Sequence, residues 1–482
     1  MRRHMWLLFV ALATSAGARG HALPTTTPQT PASGRAPSAL ARILRDTTLG
    51  NGLQVISIEN HTVPLATVEV VVRTGAFTQD PGTEGVPHLF EHILFRSYSG
   101  VNNASFAASA SELDAVHNGR TQEEAVMYYM TLPSVFVERA LGLMAQLVRD
   151  PPLTGQALDE ERGIVLNEFA RDRSNPEYRL DIAVGRELWG AGWGRKNALG
   201  EAASINAATA KLLREIYHRY YVPNNAAVFV TGDIVPAQVF RWTQQHFGGW
   251  ERRPDPFDAY PIPPPPPLAR SSVVIVEDDV HAVTVRVDWQ GPSATRSRAD
   301  TYTADVLGSL VNAPASGVQR HLVDSGLFTS VSLSYLTLAN VGPMTLRATT
   351  TIDSLPHALA ALGRELATWD QQDMFSDDEL ANGKRARAVA AAFELDHPTD
   401  IAQTIGFWWS VTGLDYYRDY VERMASVTRR DLHRYARRYI CTAPAVVSVL
   451  IPKGARPQVE RSVDSFLDRW RDSTAADRAI TQ

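Results

Sequence analysis

The sequence predicts an α+β fold made of two related halves, each an antiparallel sheet backed by helices. Three observations carry this prediction. The stretch "YPIPPPPPLA", residues 260–269, holds five consecutive prolines, which cannot sit inside a helix or a sheet and make a stiff, extended connector. The segments on either side of it end alike. "TAKLLREIYHRYYVPNNAAVFV" from Thr209 and "TRRDLHRYARRYICTAPAVVSV" from Thr428 align without gaps at an offset of 219, sharing Thr209/Thr428, Leu213/Leu432, Arg219/Arg438, Tyr220/Tyr439, Ala226/Ala445, Val228/Val447 and Val230/Val449. Each reads as a threonine-capped helix, a turn and a strand of alternating apolar residues, and their placement at the end of each half points to duplication. Finally, strands and helices come in runs rather than in strict βαβ alternation.

Taken in order, the chain begins with "MRRHMWLLFVALATSAGA": two arginines, a short apolar run and an Ala-Gly-Ala site. This reads as a cleaved secretory signal, residues 1–18, and places the mature protein in the periplasm or outside the cell. A Pro/Thr/Ser-rich leader, 19–39, follows. The first half, 40–258, carries expected strands at "LQVISIEN", "ATVEVVVRTG", "AVMYYMTL" and "AAVFVTGD". Its helices are expected near 86–97, 134–149, 155–173 and 207–219. After the connector, 259–269, the second half, 270–455, repeats the mixture. Strands are expected near 272–276, 282–289, 328–336 and 343–350, with helices near 298–312, 355–369 and 376–395. Residues 456–482 form a helical tail.

With 44% hydrophobic and 21% charged residues, the chain can bury large cores. Its net charge is −5, or −7 once Arg2 and Arg3 are removed, which argues against nucleic-acid binding by bulk electrostatics. No internal apolar run is long enough to span a bilayer, so no membrane association is expected after signal cleavage. The single cysteine, Cys441, leaves no internal disulfide to stabilise an exported protein and reads as a small core residue.

The chemistry concentrates at "GVPHLFEHILF", residues 85–95. Pro87 suits a helix start, which puts His88 and His92 one turn apart on one face. Two imidazoles so spaced can grip one zinc ion, and Glu91 between them can take a proton from a water whose pKa that ion lowers to about 7. A zinc site needs a third protein ligand. In "LDEERGIVLNEFARD", 158–172, Leu158, Glu161, Val165, Glu168 and Phe169 form one helical stripe. Two glutamates on an apolar face want a cation. Glu168 is the natural ligand, with Glu161 either orienting a histidine or serving as the ligand itself.

Together these motifs resemble the pitrilysin/insulinase family of inverted-motif (HxxEH) zinc metallopeptidases, which includes the mitochondrial processing peptidase and bacterial relatives. "GVPHLFEHILF" is similar to the family's zinc helix and "ERGIVLNEFARDRSNP" to its third-ligand helix, with 75 residues between His92 and Glu168. "HRYYVPNNAAVFVTGDI" is similar to the segment that ends the family's first domain. The resemblance covers roughly 45–455. It implies one zinc ion held by His88, His92 and Glu168, Glu91 as general base and Glu161 as the supporting acid. In "HNGRT", 117–121, standing where the family has an Asn-Ala-x-Thr turn, it implies Asn118 as a holder of substrate backbone. Gly119 departs from the family's alanine.

The implied fold is a clamshell-like pair of homologous halves. Only the first carries the motif; at the offset equivalent of His88 the second reads "LGSLV". Relatives that complete their site from a second unit use an arginine and, seven residues on, a tyrosine. Here "LVDSGLFTSV", 322–331, puts Leu322 and Thr329 at those places. The implied function is a zinc metalloendopeptidase acting on short or unfolded polypeptides, with a related subunit in a heterodimer, or a second copy of the chain, supplying the missing groups. The alternative is a non-catalytic structural or chaperone-like subunit of the same fold.

Overall fold

The computed structural model describes residues 43–96, 106–151, 153–394 and 397–480; the expected signal segment and leader lie outside them. The first half forms a six-stranded sheet: β1 (Leu44–Thr48), β2 (Gln54–Glu59), β3 (Leu65–Val72), β4 (Val116–Thr121), β5 (Val126–Pro133) and β6 (Ala226–Gly232), in the order β1-β2-β6-β3-β5-β4. The second half forms a five-stranded sheet of β7 (Ser272–Asp278), β8 (Val283–Ser293), β9 (Ser330–Tyr335), β10 (Val341–Thr350) and β11 (Val446–Pro452), in the order β7-β11-β8-β10-β9. Without β1, the two orders are the same. Each sheet is antiparallel except for one parallel pair, β2–β6 and β7–β11. In each half the chain returns to its first long strand after a helical excursion, and a crossover of that length permits parallel pairing.

The helices also correspond. The first half has α1 (Val86–Arg96), α2 (Val137–Arg149), α3 (Gly155–Arg173), α4 (Pro176–Trp189), α5 (Ala210–Tyr220) and α6 (Pro236–Phe247). The second has α7 (Arg298–Val311), α8 (Leu355–Thr368), α9 (Asp377–Phe393), α10 (Pro398–Val411), α11 (Tyr420–Ala425), α12 (Arg429–Ala436) and α13 (Arg456–Ile480). The expected threonine caps are present: Thr209 Oγ1 accepts from Leu212 N at the start of α5, and Thr428 Oγ1 accepts from Asp431 N at the start of α12.

The halves exchange helices. α4, from the first half, packs on β7, β8 and β11 of the second sheet. α10, from the second half, packs on β3, β5 and β6 of the first. One hydrophobic cluster therefore joins Ile56, Val71 and Phe229 of the first sheet to Ile401, Ile405 and Trp409 of α10 and on to the second sheet. The opposite face of the first sheet is covered by its own α1, α2 and α5. Residues 261–269 form no regular structure. This proline run is tied down by Gln290, whose side chain donates to Pro266 O and accepts from Leu268 N.

Candidate metal centre

α1 begins where the sequence places it. Gly85 precedes it at φ +85°, and a Cβ there would stand 2.6 Å from Leu199 O, so only glycine fits. The apolar residues Leu89, Phe90, Ile93 and Leu94 are buried and seat the helix against the sheet. His88 and His92 then project together toward α3, their rings edge to face with centroids 4.8 Å apart.

α3 is capped by Thr154, whose hydroxyl accepts from Ala157 N. Its stripe of Leu158, Glu161, Val165 and Phe169 is buried, and Glu168 is half-buried at its margin. Glu168 Oε2 lies 3.9 Å from His88 Nε2 and 3.5 Å from His92 Nε2. One ligand atom from each of these three residues falls within 4.8 Å of the others. Two ligands of one tetrahedral zinc stand about 3.3 Å apart when each bond is about 2.0–2.1 Å, so these donors need only small side-chain adjustments to share a metal ion. Glu161 Oε2 stands 3.4 Å from His92 Nδ1, on the side of the ring away from Glu168. Among the described residues, His88 Nδ1 is buried without a hydrogen-bond partner, so packing rather than a polar anchor orients that ring.

The electrostatics suit a cation. Burial, with the neighbouring His92, pushes the His88 imidazole down to about 4, which keeps it neutral and ligand-competent at neutral pH. Burial alone would lower His92, but the hydrogen bond and charge of Glu168 and the charges of Glu91 and Glu161 outweigh it. The bond with His92 and the charges of His88 and Arg171 hold Glu168 down to about 2 against its own burial. Its Oε1 accepts from Arg171 at 3.1 Å, leaving Oε2 for the histidines. Glu91 is buried beside the pair, and desolvation raises its carboxyl above the usual range.

Three comparisons with known proteins bear on the site. The model for the insulinase family of peptidases, M16, matches residues 54–192, and that for the M16 inactive domain matches 207–387. This chain belongs to the M16 family. It is 25% identical over 295 residues to the zinc protease PqqE of Helicobacter pylori, covering 60% of this chain and 65% of that one. The match thus spans just under two thirds of that relative's length. It is 23% identical over 416 residues to a probable mitochondrial-processing peptidase subunit beta of Schizosaccharomyces pombe, covering 84% and 90% of the two chains. Its fold superposes on the crystal structure of a protease from Helicobacter pylori with a TM-score of 0.75 at 22% identity, over 86% of this chain and all of that one. Among M16 proteins, then, this is a two-sheet α+β chain whose relatives include named zinc proteases, and its His88, His92 and Glu168 could bind a metal ion.

The remaining sequence candidates are placed differently. "HNGRT" is not a turn but the outer strand β4. Asn118 is exposed on it, on the face opposite Gly119 and Thr121, and its Oδ1 accepts from Gly119 N at 3.0 Å. Leu322 is buried in the second half's core, and Thr329 is exposed with its N–H bonded to Thr349 O. Sequence reasoning passed over Thr121, whose hydroxyl donates to Glu91 Oε2 at 2.8 Å. The period of a strand would have found it: counted back from Thr121 at two-residue steps, Gly119 and His117 share its face.

Proposed function

We propose that this chain is a zinc-dependent metalloendopeptidase that hydrolyses peptide bonds in short or unfolded polypeptides. One observation carries the reading: the donor atoms of His88, His92 and Glu168 converge, with the buried carboxylate of Glu91 beside them. His88, His92 and Glu168 would hold one zinc ion, and Glu161 would orient His92. The ion, when bound, supplies a Lewis acid and brings the pKa of nearby water toward about 7. Glu91 takes the proton of the attacking water and delivers it to the departing amine nitrogen, a role helped by a carboxyl pKa raised toward the working pH. β4, at the outer end of its sheet, offers a backbone edge along which an extended peptide can pair as an added strand. Asn118 on that strand would help hold the peptide backbone.

The arginine and tyrosine absent at Leu322 and Thr329 would come from a related subunit or a second copy of the chain. One relative being named a subunit supports the first arrangement. The amino-terminal segment would direct the protein to the periplasm or beyond. The test is Glu91→Gln with zinc measured by elemental analysis. Wild-type protein is expected to hold one zinc per chain and cleave unstructured peptides. The variant is expected to keep the metal and lose cleavage. A variant that cleaves at the wild-type rate sinks the assignment of the base, and a zinc-loaded wild type that cleaves nothing favours the non-catalytic subunit.

A further inference from the structure

A glutamate on a helix has three rotatable bonds, and the helix alone does not fix which way its carboxylate points. The selection comes from β4. Gly119 and Thr121 lie two apart on that strand and share the face that meets α1. Thr121 donates its hydroxyl to Glu91 Oε2 at 2.8 Å. Gly119 bounds the other oxygen: a Cβ there would stand 2.5 Å from Glu91 Oε1, 2.8 Å from its Cγ and 2.6 Å from the Phe95 ring. Behind the carboxylate, the hydroxyls of Tyr128 and Tyr221 bond to each other at 2.7 Å. Tyr128 is the ladder partner of Gly119 across β4–β5.

We infer that Thr121 is a positioning residue for Glu91, holding its carboxylate in the one orientation from which it can reach the water, while the missing side chain at Gly119 leaves the space that orientation needs. The inference rests on the peptidase reading above. The Thr121 side chain is outside the converging donor set of His88, His92 and Glu168 and is bonded to Glu91. Its effect is on the placement of the base, where an error of about 1 Å can cost about 100-fold in rate. A Cβ at position 119 would push against Glu91, so strand and base are fitted to each other here.

The test uses zinc-loaded full-length protein. Thr121→Val removes the donor and keeps the shape. It is expected to lower kcat by about 10–100-fold, with KM within about twofold and zinc content unchanged. Thr121→Ser, which keeps the hydroxyl, is expected to recover most of the lost kcat. Gly119→Ala is expected to lower kcat with Thr121 intact. Should the valine variant not fold, Thr121→Ala, which only removes atoms, takes its place. A wild-type kcat in Thr121→Val, a serine variant as slow as the valine one, or a loss confined to KM each overturns the inference. Crystal structures of wild type and Thr121→Val give a readout free of activity: a displaced Glu91 carboxylate supports the inference, and an unmoved one overturns it. If wild type cleaves no peptide, the peptidase reading has failed, and the Glu91 position in the two crystal structures still decides what Thr121 does.

Discussion

The two halves share strand order and helix order, yet the cleft between their equivalent helices holds opposite kinds of polar group. Between α1 and α3 stand His88, His92 and Glu168, with donor atoms converging and charges left for a cation. Between α7 and α9 the groups satisfy one another. Part-buried Asp305 accepts from the Tyr420 hydroxyl at 2.6 Å. Arg387 donates to the same hydroxyl at 3.1 Å and to Glu394 at 2.9 Å. Burial pushes the Asp305 carboxyl up to about 6, with Arg387 working against it. Duplicating a fold therefore duplicates a place for polar chemistry, not the chemistry. An open donor set suits an exchangeable ion, whereas a closed network cements the helices.

This contrast is broken most directly by parallel removal of one charged group from each cleft. Glu91→Gln is expected to lower peptide hydrolysis by about 10²–10⁴-fold, the range for losing a general base, while thermal unfolding changes little. Arg387→Met should do the reverse. It strands Asp305 and Glu394 without their cation and is expected to cost about 2–3 kcal/mol, seen as a lower urea midpoint at unchanged slope, with kcat kept at temperatures where the variant stays folded. If Arg387→Met lowers kcat as steeply as Glu91→Gln without unfolding, the second cleft is not merely structural.

Within the first cleft, His88 and His92 differ in the same way on a smaller scale. His92 has Glu161 behind its ring and His88 has no such partner. Glu161→Leu, which keeps bulk and removes the acceptor, is expected to weaken zinc binding by about 10–100-fold, measured by competition with a chromophoric chelator. Equal zinc affinity in wild type and variant would show that packing alone orients both rings.

The parts legible in the sequence are those set by short-range periodicity. His88 and His92 one turn apart, Glu161 and Glu168 two turns apart and the threonine caps all follow from helix geometry, and the strand alternation predicted most of both sheets. What escaped was set by partners far along the chain. β4 is the exception: the resemblance makes "HNGRT" a turn, whereas its pairing with the next strand, β5, makes it a strand. The Asp305–Tyr420–Arg387 network joins three helices whose spacing in sequence carries no signal. α4 and α10 carry apolar stripes, Leu180, Val184 and Leu188 on one and Ile401, Ile405 and Trp409 on the other, but periodicity does not say that each covers the other half's sheet.

Those two exchanged helices supply the final contrast. α4 is fastened by charge: Glu177 pairs with Arg347 at 2.8 Å and accepts from the Thr284 hydroxyl, while Asp181 pairs with Arg286 and Arg179 with Asp278. α10 lies over Glu69, a fully buried carboxyl on β3 with neither oxygen hydrogen-bonded among the described residues. The contact is close, since a Cβ on Gly406 would stand 2.7 Å from Glu69 Oε2. Burial pushes Glu69 up to about 8, offset only in part by Arg120 on β4. Its folded pKa thus exceeds its unfolded value, about 4.3. Between those values the unfolded chain releases the proton and the folded chain keeps it. Stability is therefore greatest at low pH as far as this group is concerned, and falls by at most about 1.4 kcal/mol per pH unit as pH rises toward 8, then levels off. Glu69→Gln, which imitates the protonated acid, should remove that slope and make the protein more stable than wild type at neutral pH. The comparison is of urea midpoints from pH 5 to 9, with Asp278→Asn as the counterpart beneath α4. That substitution weakens an ion pair with Arg179 and should destabilise. A wild-type slope that survives in Glu69→Gln would mean that the acid is ionised in the fold, and that α10, like α4, rests on charge.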